Sequence, residues 1–114
     1  MQGDTLETLL KDYRALLDIL QREGPAGDVG DASLDYLVRT TQSAIALLGD
    51  AQTSHTALTP KLRDELVEIY DQLTRPRIGL YDYFVCRDDV SERKQANAAL
   101  DTIKDDLKRV YTTL

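Results

Sequence analysis

Apolar residues recur along most of the chain at steps of three and four, the spacing of one helix face. Leu6, Leu10, Tyr13, Leu17 and Leu20 form the first stripe, widened by Leu9 and Leu16. Asp4 is placed to cap this helix and Gly24-Pro25 to stop it. The glycines and the proline within Gly24–Asp31 mark a loop. A second stripe, Leu34, Val38, Thr41, Ile45 and Leu48 with Leu37 and Ala44 beside it, predicts a helix over about 31–48 that Gly49 ends. Residues 50–59 are polar, mostly poor helix formers, and read as a loop. Thr59-Pro60 is a helix start, with threonine as N-cap and proline at the first helical position. Leu62, Leu66, Ile69 and Leu73 follow, until Pro76 interrupts. A fourth helix is predicted from Asp88 or Ser91 onward, with Ala96, Leu100, Ile103, Leu107, Val110 and Leu114 as its stripe. Lys94, Asp101, Lys104, Asp105 and Lys108 are assigned to its solvated face.

Four amphipathic segments cannot bury their apolar faces alone and must bury them on one another. The expected fold is all-α, an antiparallel up-and-down four-helix bundle over 1–114 as a single domain. An irregular or kinked segment is expected near 76–90, because that stretch breaks the pattern. Leu80, Tyr81, Tyr83, Phe84 and Val85 place five apolar residues in six positions. On a helix they spread over most of the perimeter, and on a strand they occupy both faces. Three readings stay open. The segment plugs the end of the bundle, or its surplus makes an apolar patch for a partner, or it forms a short strand.

Composition narrows the function classes. The chain has 114 residues, 42% hydrophobic and 30% charged, with a net charge of −6. That apolar content is too high for a disordered chain. The acidic balance argues against nucleic-acid binding, which needs a basic footprint. No run approaches the ~18 apolar residues of a membrane helix, so membrane insertion is not expected. The single cysteine, Cys86, and the lack of a basic-then-apolar leader point to a cytoplasmic location as an expectation. With no Trp and one Phe, the core must be built mainly of Leu, Ile, Val and Ala.

Catalytic and metal signals are sparse. There is one histidine, His55, and no Glu-x-x-His pair of the kind that di-metal bundles use. Cys86 reads as a small buried hydrophobe, or as a nucleophile paired with the distant His55. Asp88-Asp89 and Asp105-Asp106 are adjacent pairs whose members point to different sides of a helix, and they read as solvated or as caps. No phosphate-cradling glycine loop follows a strand. The expectation is a non-enzymatic protein without cofactor or metal.

Several family likenesses rest on particular residues. Leu6–Leu20 and Leu58–Leu73 are similar to segments of the filament-cap chaperones of the flagellar type III export system. Ile69-Tyr70-Asp71, Leu73 and Arg75, with the long heptad helix that follows, resemble the third and fourth helices of the flagellin chaperone. This resemblance implies a bundle that binds the apolar, helix-forming end of one export substrate. Arg87 to Ala96 with Ala99-Leu100 resembles the junction where the last strand of a PAS sensor domain enters a signalling helix, which implies a strand over 80–86. His55 ahead of Thr59-Pro60 resembles the phospho-accepting box of sensor kinases, against a bland reading as a solvated loop histidine. Size and helix pattern are similar to bacteriocin immunity proteins.

The residues together favour a protein-binding bundle that captures an amphipathic helix of another protein, or a second copy of itself as a homodimer. The alternatives are a signalling or phosphotransfer module and an immunity-like bundle. Tyr70, Leu80, Tyr81, Tyr83 and Phe84 are the expected contact anchors, because large rigid side chains lose little rotamer entropy. Arg75 and Arg77 are expected at the rim, where charge would orient the partner.

Overall fold

The computed structural model describes residues 2–24, 29–54, 58–75, 79–80, 83–85 and 88–114. Among them are four helices and no strand: α1 (Gln2–Glu23), α2 (Asp31–Thr53), α3 (Pro60–Leu73) and α4 (Val90–Thr113). They form an all-α four-helix bundle, 44 × 26 × 23 Å in extent. α1 packs most extensively on α2 and next on α4, while α2 carries α3.

Neighbouring helices run in opposite directions. Gln52, near the end of α2, lies beside Leu10 early in α1. Leu114, after α4, lies beside Thr59 and Pro60 at the start of α3. Tyr111, late in α4, meets Tyr13 of α1, whereas the far end of α1 at Gly24 meets the segment that leads into α4.

The helix boundaries follow local chemistry. Gly24, with φ +72°, takes the left-handed conformation that ends α1 and donates its N–H to Leu20 O at 3.1 Å. The Thr59 hydroxyl accepts from Leu62 N at 3.1 Å and caps α3, with Pro60 at the first helical position. Asp89 caps α4, its Oδ1 accepting from Glu92 N at 2.9 Å. Two expected boundaries move. α1 already begins at Gln2, so Asp4 lies inside the helix instead of capping it. α2 runs through Gly49 to Thr53, so the first part of the expected 50–59 loop is helical. A glycine inside a helix costs only about 1 kcal/mol, and the extra turn carries Ala51 into the core beyond Leu48.

The core is largely aliphatic, as the composition requires. Leu9, Leu16, Leu20, Leu37, Leu66 and Leu107 are fully enclosed, together with Tyr13 and Tyr83. The expected α3 and α4 lines hold, with Leu62, Leu66 and Leu73, and Leu100, Ile103, Leu107 and Val110, buried, whereas the first two stripes are displaced slightly. Leu17 is only partly buried and Ile19 is inside. In α2 the buried line runs through Leu37, Thr41, Ala44, Leu48 and Ala51, with Leu34, Val38 and Ile45 on its margin. Thr40 and Thr41 are tolerated there because each hydroxyl donates to the carbonyl four residues back, Tyr36 O and Leu37 O, both at 2.7 Å.

Candidate functional site

The segment between α3 and α4 is held against the bundle at several points. Gly79 lies so close to the end of α3 that a Cβ there would sit 2.7 Å from Arg75 N and 2.8 Å from Leu73 O, and against Arg75 O as well. Only a glycine lets the chain turn back over the helix end. Leu80 is fully buried. The Tyr83 hydroxyl donates to Gly24 O at 2.8 Å, reaching the end of α1. Its own carbonyl accepts from Lys104 Nζ of α4 at 2.6 Å. Val85 is clamped on both backbone groups by one side chain: its N–H donates to Asn97 Oδ1 at 2.7 Å, and Asn97 Nδ2 donates to Val85 O at 2.9 Å. For Val85, an amide side chain here does what a neighbouring strand would do.

Burial alternates along this stretch. Tyr83 is 0% exposed, Phe84 47% and Val85 1%. Of the three open readings of this segment, the plug holds for Leu80, Tyr83 and Val85, which are buried, while Phe84 is half exposed. Leu80 and Tyr83 are therefore not available as surface anchors, because their area is already buried against their own chain. Tyr70 also turns inward, its ring stacked on Tyr111 of α4 with centroids 4.2 Å apart and planes 14° from parallel. Arg75 is exposed. Tyr81, Arg77, Cys86 and His55 lie outside the described residues.

Lys104 departs from the solvated face assigned to it. It is 8% exposed, with its ammonium on Tyr83 O. Position 104 stands four after Leu100 and three before Leu107, within the apolar stripe, so the spacing marked it. Asn97 follows Ala96 in sequence and is half-buried with it, which nothing in its residue type announced.

A second polar group sits nearer the other end of α4. The hydroxyls of Tyr13 and Tyr111 share a hydrogen bond of 2.7 Å. Burial pushes the Tyr13 phenol well above its ordinary value and that of Tyr111 up to about 12, so both stay neutral. Beside them Asp12 of α1 faces Asp106 of α4, and Asp106 pairs with Arg109. Burial foremost, then a hydrogen bond with Asp106 and the charge of that carboxylate, raise Asp12 to about 7. Asp106 is held below its ordinary value by the same hydrogen bond and by Arg109. Both aspartates lie at the edge of apolar stripes, Asp12 between Leu9 and Leu16 and Asp106 between Ile103 and Val110. Helical arithmetic could have found them where the adjacent-pair reading of Asp105-Asp106 did not.

Two hollows lie elsewhere. One of about 340 Å³ is lined by Glu7, Leu10, Lys11, Arg14 and Gln52, and one of about 330 Å³ by Leu58, Thr59, Pro60, Arg63 and Leu114. Both are open and solvent-facing, and neither includes a residue of the 79–85 segment. Among the described residues no group of three or more His, Cys, Asp or Glu is placed to hold a metal ion. No helix there is long and apolar enough to cross a membrane. The likenesses to export chaperones, PAS junctions and immunity proteins rest on the residues quoted for them, since comparison of the chain with protein-family models, with curated proteins and with solved structures finds no match.

Proposed function

We propose that this chain is a non-enzymatic protein-binding bundle whose contact surface is centred on Phe84. The observation that carries this reading is the outward phenyl ring between two buried neighbours, Tyr83 and Val85, that side chains of α4 hold by their backbone. A large apolar side chain on a backbone that is already ordered loses little further entropy when a partner covers it. The partner class is an amphipathic helix of another protein, whose apolar face would receive the ring while charged groups at the rim set its orientation. The likeness of the α1 and α3 stripes to export chaperones supports the same reading, with one terminal helix of a single client as the ligand.

The test places a photo-crosslinking amino acid at position 84, with position 67 on α3 as the exposed apolar control, in the native host. One polypeptide should crosslink at 84 and not at 67. That polypeptide, purified, should bind the wild-type chain and bind Phe84→Ser at least tenfold more weakly, with helicity unchanged. Equal crosslinking at both positions, or binding indifferent to Phe84→Ser, refutes the reading. If the captured chain is a second copy of this protein, sedimentation will show a dimer that Phe84→Ser dissociates, and the heterologous partner is then excluded.

A further inference from the structure

We propose that the α1–α4 seam is a proton-dependent latch: the carboxyls of Asp12 and Asp106 hold one proton between them when the seam is closed, and loss of that proton loosens the last turns of α4 from α1. The geometry requires a proton there. Asp12 Oδ2 is enclosed and accepts no hydrogen bond from any described group. An enclosed carboxylate oxygen without a donor is costly. The group across the seam is another carboxyl, which offers no donor of its own. A single proton turns the two acceptors into a donor and an acceptor, and the seam closes.

The surrounding charges decide where that proton sits. From α4, Arg109 faces the pair and binds Asp106 directly. From α1 comes Lys11. The buried, neutral Tyr13 phenol of α1 also feels the Asp12 charge, and it pairs with Tyr111 of α4, whose ring stacks on Tyr70 of α3. Arg109 keeps Asp106 ionised, so the proton resides on the more buried Asp12. When it leaves for solvent, two carboxylates oppose each other, and Lys11 and Arg109 offset only part of that repulsion. The response is local, because α1 packs more extensively on α2 than on α4. Loosening α4 separates Tyr111 from both Tyr13 and Tyr70 and uncovers aromatic surface.

The sign follows from linkage. Asp12 in the closed seam titrates near 7, above the ordinary 3.8 it recovers when the seam opens. Its stabilising contribution is complete below about 3.8 and is lost as pH rises through 7. In that window the opening constant rises by up to about tenfold per pH unit, and above it the curve levels. Asp106 shifts the opposite way, so its contribution changes only in more acidic solution and does not mask the effect.

The experiment is amide hydrogen exchange on the full chain from about pH 5 to 8.5, with intrinsic rates corrected, beside a carbon-13 titration of the Asp12 carboxyl. Protection over residues 107–113 should fall toward pH 7 and then level, while the centre of α2 stays unchanged. Asp12→Asn, which mimics the protonated carboxyl, should make protection at 107–113 independent of pH. Asp106→Asn should reduce the fall without removing it, because burial of Asp12 remains. A carboxyl midpoint near 4, a fall that persists in Asp12→Asn, or a fall shared equally by α2 overturns the latch.

Discussion

The ammonium of Lys104 donates to the carbonyl of Tyr83 at 2.6 Å, and the hydroxyl of the same tyrosine donates to Gly24 O at 2.8 Å. One residue thus joins the middle of α4 to the end of α1, and it does so from the connecting segment with its ring in the core. The lysine stem runs through the apolar stripe while its charge is spent on a backbone acceptor. Lys104→Met keeps the stem volume and removes the donor. Tyr83 O then loses a charge-assisted hydrogen bond, and urea unfolding should show a loss of about 1.5–3 kcal/mol. A stability equal to wild type would mean that the contact is not formed in solution.

Gly79 tests the turn-back over α3. A Cβ there meets backbone atoms of Leu73 and Arg75, which have no side-chain freedom with which to yield. Gly79→Ala should destabilise by about 1–3 kcal/mol through forced backbone displacement. Gly49→Ala is the control, since a Cβ at position 49 meets nothing within 4 Å. It should stabilise by about 0.5–1 kcal/mol through helix propensity. Thermal melts of the two variants should move in opposite directions.

Tyr83 and Phe84 are neighbours with opposite burial, so their alanine variants should separate structure from surface. Tyr83→Ala removes a fully buried ring and should cost about 3–5 kcal/mol. Phe84→Ala should cost clearly less, about 1–1.5 kcal/mol, because about half of the residue is already exposed. Chemical denaturation of both variants checks this. A large loss in Phe84→Ala would show that the ring is packed and would remove the basis for a contact surface.

Tyr13 and Tyr111 form a buried pair in which each hydroxyl satisfies the other. Tyr111→Phe leaves the Tyr13 hydroxyl enclosed and without its partner, at a cost of about 1–3 kcal/mol. Removing both hydroxyls together should cost less than the sum of the two single changes. A double-mutant cycle in denaturant should therefore give a coupling energy of about 0.5–3 kcal/mol. Additive losses would show that the hydroxyls do not interact.

The periodicity of Leu, Ile and Val positions determined that the chain makes four helices, and Thr59-Pro60, Asp89 and Gly24 determined three of the boundaries. These are local facts: a cap satisfies donors within its own turn, and a stripe is a property of one helix. That the stripes must bury on each other also follows without any coordinates, because none has another place to put its apolar area. The sequence left open how far each helix turns toward its neighbours. In α1 the buried line takes Ile19 and leaves Leu17 only partly covered, and Asp12, Lys104 and Asp106, at or within an apolar stripe, come to lie against other parts of the chain. Whether such a polar residue is solvated or enclosed depends on what the opposite helix offers, and this only the packing decides. The same holds for Tyr83, Phe84 and Val85: five apolar residues in six positions announce a surplus, but Asn97 and Lys104, about two and four turns into another helix, decide which of them is buried and which is left facing out.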